Sequence, residues 1–96
     1  MRFLITWSFG SRSEAEQARI LALFAKWQPP IELEEWSGFA DGDGGMCIAE
    51  ADDVGQLAAT TAPWTPWLRF NIRPLLPIEQ TAAAMSEAAG FWSTVD

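Results

Sequence analysis

The chain has 96 residues, a formal net charge of −7, one cysteine and no histidine, and 49% of its residues are hydrophobic. That length makes one domain, 1–96, large enough to bury a core without cross-links, and its acidic balance argues against nucleic acid and anionic membrane surfaces, both of which call for a basic footprint. The missing histidine removes Ser–His and Cys–His nucleophile pairs, histidine-ligated haem and mixed Cys/His zinc sites, so no metal and no cofactor is expected.

Arg2 to Phe9 alternates as a strand. Phe3, Ile5, Trp7 and Phe9 share one face; Arg2, Leu4, Thr6 and Ser8 share the other. Gly10 to Arg12 break it. Ser13-Glu14-Ala15-Glu16 is a capping box that opens a helix running to about Trp27. Its apolar stripe is Ala18, Leu21, Phe24 and Ala25, and Pro29 and Pro30 stop it.

A second strand covers Ile31 to Phe39, where Ile31, Leu33 and Glu35 alternate with Glu32, Glu34 and Trp36. Its acidic run reads as a solvated edge, where charge discourages pairing with another sheet. Asp41-Gly42-Asp43-Gly44-Gly45 is a hairpin turn. It does not fit a calcium loop, because the sixth and twelfth places hold Met46 and Asp52 instead of Gly and Glu. The third strand is Met46 to Ala51. Cys47, Ala49 and Ala51 face one way, and Met46, Ile48 and Glu50 the other.

Asp53-Val54-Gly55-Gln56 caps a short helix through Leu57 and Ala58, which Pro63-Trp64-Thr65-Pro66 ends. The fourth strand runs from Trp67 to Arg73, with Leu68, Phe70 and Ile72 on one face and Trp67, Arg69, Asn71 and Arg73 on the other. Beyond Pro74 and Pro77, residues 76–96 form a C-terminal helix and tail. The helix spans about Ile78 to Ala89, its stripe is Ile78, Ala82, Met85 and Ala89, and Gly90 stops it.

This βαββαβ order predicts an α+β fold, a ferredoxin-like sandwich with an extra C-terminal helix. Right-handed crossovers put the first two helices on one side of the sheet, over the apolar face. The other face mixes Leu4, Met46, Ile48, Trp36 and Trp67 with Arg2, Thr6, Ser8, Glu50, Arg69, Asn71 and Arg73. It is too apolar for bare solvent and too polar for a dry core. A twofold homodimer packed through these faces, enclosing a partly polar cavity, reconciles both facts. The chain carries six tryptophans, six phenylalanines and no tyrosine, and some of these rings are expected in pocket or interface walls.

Several segments carry a resemblance. Arg2-Phe3-Leu4-Ile5-Thr6-Trp7, the stretch from Trp36 through Ala40-Asp41-Gly42-Asp43-Gly44-Gly45, Glu50-Ala51-Asp52-Asp53, and Trp64 resemble an uncharacterised bacterial family, the domain of unknown function DUF3303. The resemblance covers about residues 1–88. It implies a dimeric α+β barrel and no established activity. Related barrels include cofactor-independent monooxygenases, small isomerases and haem-handling enzymes, many of which use histidines that have no counterpart here.

In the ferredoxin-like strand order the first strand lies between the third and fourth. Arg2, Glu50 and Arg73 then face one side together, as a carboxylate-binding site or a structural ion cluster. Thr6, Arg69 and Asn71 would add hydrogen-bond donors, while Trp36, Trp64 and Trp67 would wall a pocket or pack a dimer core. Thr6 and Ser8 have no histidine to activate them as nucleophiles. Cys47 reads as a buried structural thiol.

The expected function is binding of a small anionic or aromatic molecule in the interfacial cavity, by Arg2, Thr6, Trp36, Glu50, Trp67, Arg69, Asn71 and Arg73. Two alternatives stand beside it. One is a cofactor-independent enzyme, isomerase or monooxygenase-like, with Glu50 as its base. The other is a purely structural or regulatory dimer module. The expected partner is a second copy of the chain. The first residues read directly into a strand and not into a leader, no apolar run approaches the roughly 20 residues of a membrane span, and one cysteine needs no oxidising compartment. A cytoplasmic location is expected.

Overall fold

A computed structural model describes residues 1–95. The elements are β1 (Arg2–Phe9), α1 (Glu14–Lys26), β2 (Glu32–Gly38), β3 (Gly45–Glu50), α2 (Val54–Thr61), a 3-10 turn (Ala62–Trp64), β4 (Leu68–Leu75) and α3 (Ile78–Trp92). The strands form one antiparallel sheet in the order β2-β3-β1-β4. The fold is α+β and consistent with the ferredoxin-like pattern. Among the described residues no helix is long and apolar enough to cross a membrane.

Local chemistry sets the element boundaries. Ser13 Oγ accepts from the Glu16 N–H and Glu16 Oε1 accepts from the Ser13 N–H, both at 3.1 Å, closing the capping box of α1. Asp53 caps α2 by accepting from the Gln56 N–H at 3.1 Å, and Gln56 Oε1 reaches back one residue further, to the Asp52 N–H at 2.7 Å. In the β2–β3 hairpin Gly42 and Gly44 take positive φ of 78° and 112°. Asp43 ties the turn to the end of β1 by accepting from the Phe9 N–H at 3.2 Å. Pro74 lies within β4, which runs to Leu75. An edge strand tolerates the missing N–H.

The two sheet faces divide as the alternation predicts. Phe3, Ile5, Cys47, Ala49, Ala51 and Leu57 form the buried core on the helix side. Helix α2 buries Leu57 and Thr60, and Leu57 joins the core formed over the small Cys47, Ala49 and Ala51. Arg2 pairs with Glu50, Leu4 with Ile48 and Arg73, and Thr6 with Met46 and Asn71, all on the opposite, free face.

Three features differ from expectation. First, β2 does not alternate throughout. Glu34 lies opposite Ile48 but Ser37 lies opposite Met46, so β2 carries one extra residue there. Glu35 takes a φ of +56° at this bulge. The extra residue reverses the parity that follows it, and Trp36 joins the helix side instead of the free face.

Second, α1 does not lie flat on the sheet. Ile20 is its one buried residue, while Leu21 and Phe24 of the expected stripe stay 59% and 51% exposed. The bulky Trp7, Trp27, Trp36 and Trp64 rings stand between helix and sheet.

Third, α3 continues through Gly90 to Trp92 and caps at Ser93, so Phe91 and Trp92 belong to the helix. It buries no residue. The described chain measures 59 × 28 × 20 Å with a radius of gyration of 17.8 Å, against about 13 Å for a compact domain of this length. The helix is an arm about 22 Å long that projects from the body.

Candidate functional site

Five aromatic side chains from four elements meet above the helix side of the sheet. Trp7 comes from β1, where alternation points it inward. Trp36 comes from β2 by way of the Glu35 bulge. Phe24 and Trp27 stand one turn apart at the end of α1, and Trp64 ends the 3-10 turn after α2.

Their rings form a connected set. Trp27 and Trp64 are 5.3 Å apart with planes at 83°, Trp7 and Trp36 are 5.7 Å apart at 62°, and Phe24 and Trp36 are 5.9 Å apart at 82°. Phe24 also approaches Trp64 at 6.2 Å, and Trp27 approaches Trp36 at 6.3 Å. Edge-to-face contacts of this kind contribute about 0.5–1.5 kcal/mol each beyond area burial.

Large rings meeting edge to face do not fill the space beneath α1. A cavity of about 180 Å³ remains, floored by Ile5, Cys47 and Phe70 of the sheet and walled by the aromatic set. Ile20 closes its inner side, and the partly exposed Leu21, Phe24 and Trp36 stand at its mouth. No charged residue lines it.

The few polar atoms at its wall are engaged or neutral. Thr60 Oγ1 donates to the Gln56 carbonyl at 2.8 Å, and Thr61 Oγ1 donates to the Leu57 carbonyl at 3.2 Å. Burial pushes the Cys47 thiol up to about 11, so it stays protonated at neutral pH. Trp64 Nε1 is buried without a hydrogen-bond partner, the one such side-chain atom among the described residues. The cavity therefore offers apolar contact, ring faces and one unpartnered indole N–H donor, and it holds no group poised to move a proton.

Residues singled out on the free face separate into two ends of the sheet. At one end, Arg2 Nη1 donates to Glu34 Oε1 at 2.7 Å and stands 3.5 Å from Glu50 Oε1, and the N-terminal amine lies 3.7 Å from Glu50 Oε2. All of these groups are between a third and two-thirds exposed. Arg73 lies opposite Leu4, one pair away, and it is absent from the ion pairs of the described residues. Thr6 and Asn71 face each other mid-sheet, and Arg69 faces Ser8 at the far end. Trp67 precedes β4 and borders a polar depression with Arg12, Glu16 and Arg69. Arg2 and Glu50 are thus brought together, whereas Trp36 lies on the other face and Trp67 at the other end.

Phe24 and Trp27 had no place in the sequence-derived site. Their i, i+3 spacing was a visible signal. The standoff that makes them cavity walls was not.

The model of a domain of unknown function, DUF3303, matches residues 1–89. No curated protein matches the chain.

Proposed function

The chain belongs to the DUF3303 family, whose function is unknown, and we propose that it binds a small, flat, predominantly apolar molecule in the aromatic cavity beneath α1. The observation that carries this reading is an uncharged cavity of about 180 Å³ walled by tryptophan and phenylalanine rings. An apolar cavity of about 150 Å³ in another protein stays dry and takes benzene. A ligand of one or two fused rings suits this one. It would be smaller than the drug-sized molecules that fill pockets of about 300 Å³ and above. A charged ligand would lose its hydration with no counter-charge to replace it.

The aromatic half of the expected ligand class is therefore favoured over the anionic half. The protonated Cys47 thiol and the engaged threonine hydroxyls fit binding better than catalysis. A base role for Glu50 has weaker support, since its carboxylate already faces Arg2 and the N-terminal amine on the half-exposed face.

A second copy on the free face is the assembly this reading adopts. Leu4 and Met46 are only partly covered there, flanked by Arg69 and Arg73, and a twofold pair would bury them. The lone cysteine, with no disulfide partner, fits a reducing compartment such as the cytoplasm.

Titration with naphthalene, followed by the indole resonances of Trp7, Trp27, Trp36 and Trp64, tests the binding. Saturable shifts confined to these rings are expected. Thr61→Leu fills the cavity at the cost of a hydroxyl bonded only to its own helix, and it should weaken binding at least tenfold. Unmoved indole resonances across a set of planar hydrocarbons would rule the reading out.

A further inference from the structure

The arm α3 carries a pattern that its own subunit does not use. Ile78, Ala82, Met85, Ala89 and Trp92 follow one another at steps of four, three, four and three residues. That spacing is a coiled-coil seam, with alanine at both positions of one type and a large side chain at every position of the other. The polar Gln80 and Glu87 fall on the opposite side. Ile78, Met85 and Trp92 are 75%, 59% and 57% exposed. A helix of 15 residues that buries none of its side chains is marginal in water, so its stability calls for a partner.

We infer that α3 pairs antiparallel with α3 of a second copy of this chain. The order of sizes along the seam selects that occupant. In an antiparallel pair Ile78 packs against the partner's Ala89, and Ala82 packs against the partner's Met85. Every layer then sets a large side chain against a small one, and the seam interdigitates along its length. Trp92 falls over the root of the partner helix, where Leu76 is 58% exposed. Glu79, which flanks the seam, meets the partner's Ser86, so no like charges oppose.

A parallel pair fits badly on two counts. Alanine would face alanine and isoleucine would face isoleucine, leaving voids between layers that hold the helices apart. It would also place both bodies at the same end. Packed helix axes are about 8–10 Å apart, whereas the molecule is 28 and 20 Å across its shorter dimensions. The antiparallel arrangement puts the bodies at opposite ends. Because it holds the bodies apart, this contact engages a different copy from the one that would cover the free face of the sheet, and it does not depend on what fills the cavity.

Disulfide trapping on full-length protein carrying Cys47→Ser tests the pairing. Because α3 contributes nothing to the body's core, single cysteines along it leave the fold intact. Mild oxidation of a mixture of Ala82→Cys and Met85→Cys proteins should give a cross-linked dimer joining position 82 to position 85. Glu87→Cys, on the outward side, should cross-link with neither. Self-linking of the Ala82→Cys protein in preference to the mixed pair would mean a parallel seam. Absence of any cross-link, or equal trapping through position 87, would mean no seam. Each of these three results would overturn the inference.

Discussion

Gly45 pairs with Trp7 across the β1–β3 ladder, and a Cβ at Gly45 would stand 2.7 Å from the Trp7 indole while colliding with the Ser37 carbonyl. The absence of a side chain at one residue thus fixes where an aromatic wall of the cavity can stand. Gly45→Ala must displace both the indole and a stretch of β2 backbone. The expected loss is about 1–3 kcal/mol, read from the urea midpoint, with a change in the near-ultraviolet circular dichroism of the tryptophans.

The bulge at Glu35 lets Trp36 sit on the helix side although it stands two residues from Glu34, which faces the other way. Deleting Glu35 removes the extra residue and leaves Trp36 alone opposite Cys47, still on the helix side of a β2 that now alternates without a break. The protein should still fold and should keep its affinity for naphthalene. Glu35→Gly keeps the bulge and relieves a positive φ that disfavours side chains, a strain of about 1 kcal/mol. It should leave ligand affinity unchanged without lowering the melting temperature.

The Cys47 thiol is held protonated by burial, with its titration moved from 9.0 to about 11. The folded state then holds a proton that the unfolded chain releases first. Stability from this group is whole below pH 9 and falls as pH rises from about 9 to about 11. Cys47→Ala should flatten that part of the stability–pH curve. Iodoacetamide should label native protein slowly at neutral pH and unfolded protein readily.

Helix α1 is anchored at one buried side chain, Ile20, and at its Ser13 cap. Ser13→Ala should cost about 1 kcal/mol. Amide exchange in α1 should be faster than in β1 and β3, and faster again in this variant. Equal protection in helix and central strands would contradict the standoff.

Arg2 bridges Glu34 and Glu50 on a half-exposed face. Ion pairs so placed contribute about 0–1 kcal/mol and weaken in salt. Arg2→Ala should shift the melting temperature slightly at low ionic strength and not at all in molar salt.

The βαββαβ order made the sheet order legible, and period-two alternation in β1, β3 and β4 made the shared face of Arg2 and Glu50 legible, because each strand has one apolar face to bury. The caps at Ser13 and Asp53 were equally legible, as short motifs acting over three residues. Trp36 was misplaced because a bulge rests on the backbone angle of one residue, Glu35, which no hydrophobic pattern records. Phe24 and Leu21 were expected in the core because periodicity shows which side of α1 faces the sheet, but not how far four indoles hold it away. Gly90 looked like a stop. In an exposed helix a lone glycine costs only about 1 kcal/mol, and the chain coils past it.

The indoles of Trp7, Trp27, Trp36 and Trp64 lie between 5.3 and 6.3 Å from their neighbours in the set. Rings that close pass absorbed light among themselves before emitting it, and emission leaves from whichever ring sits lowest in energy. A guest wedged among them alters the colour and lifetime of the whole group at once. The proposed binding would therefore be readable from the protein's own emission, without any dye.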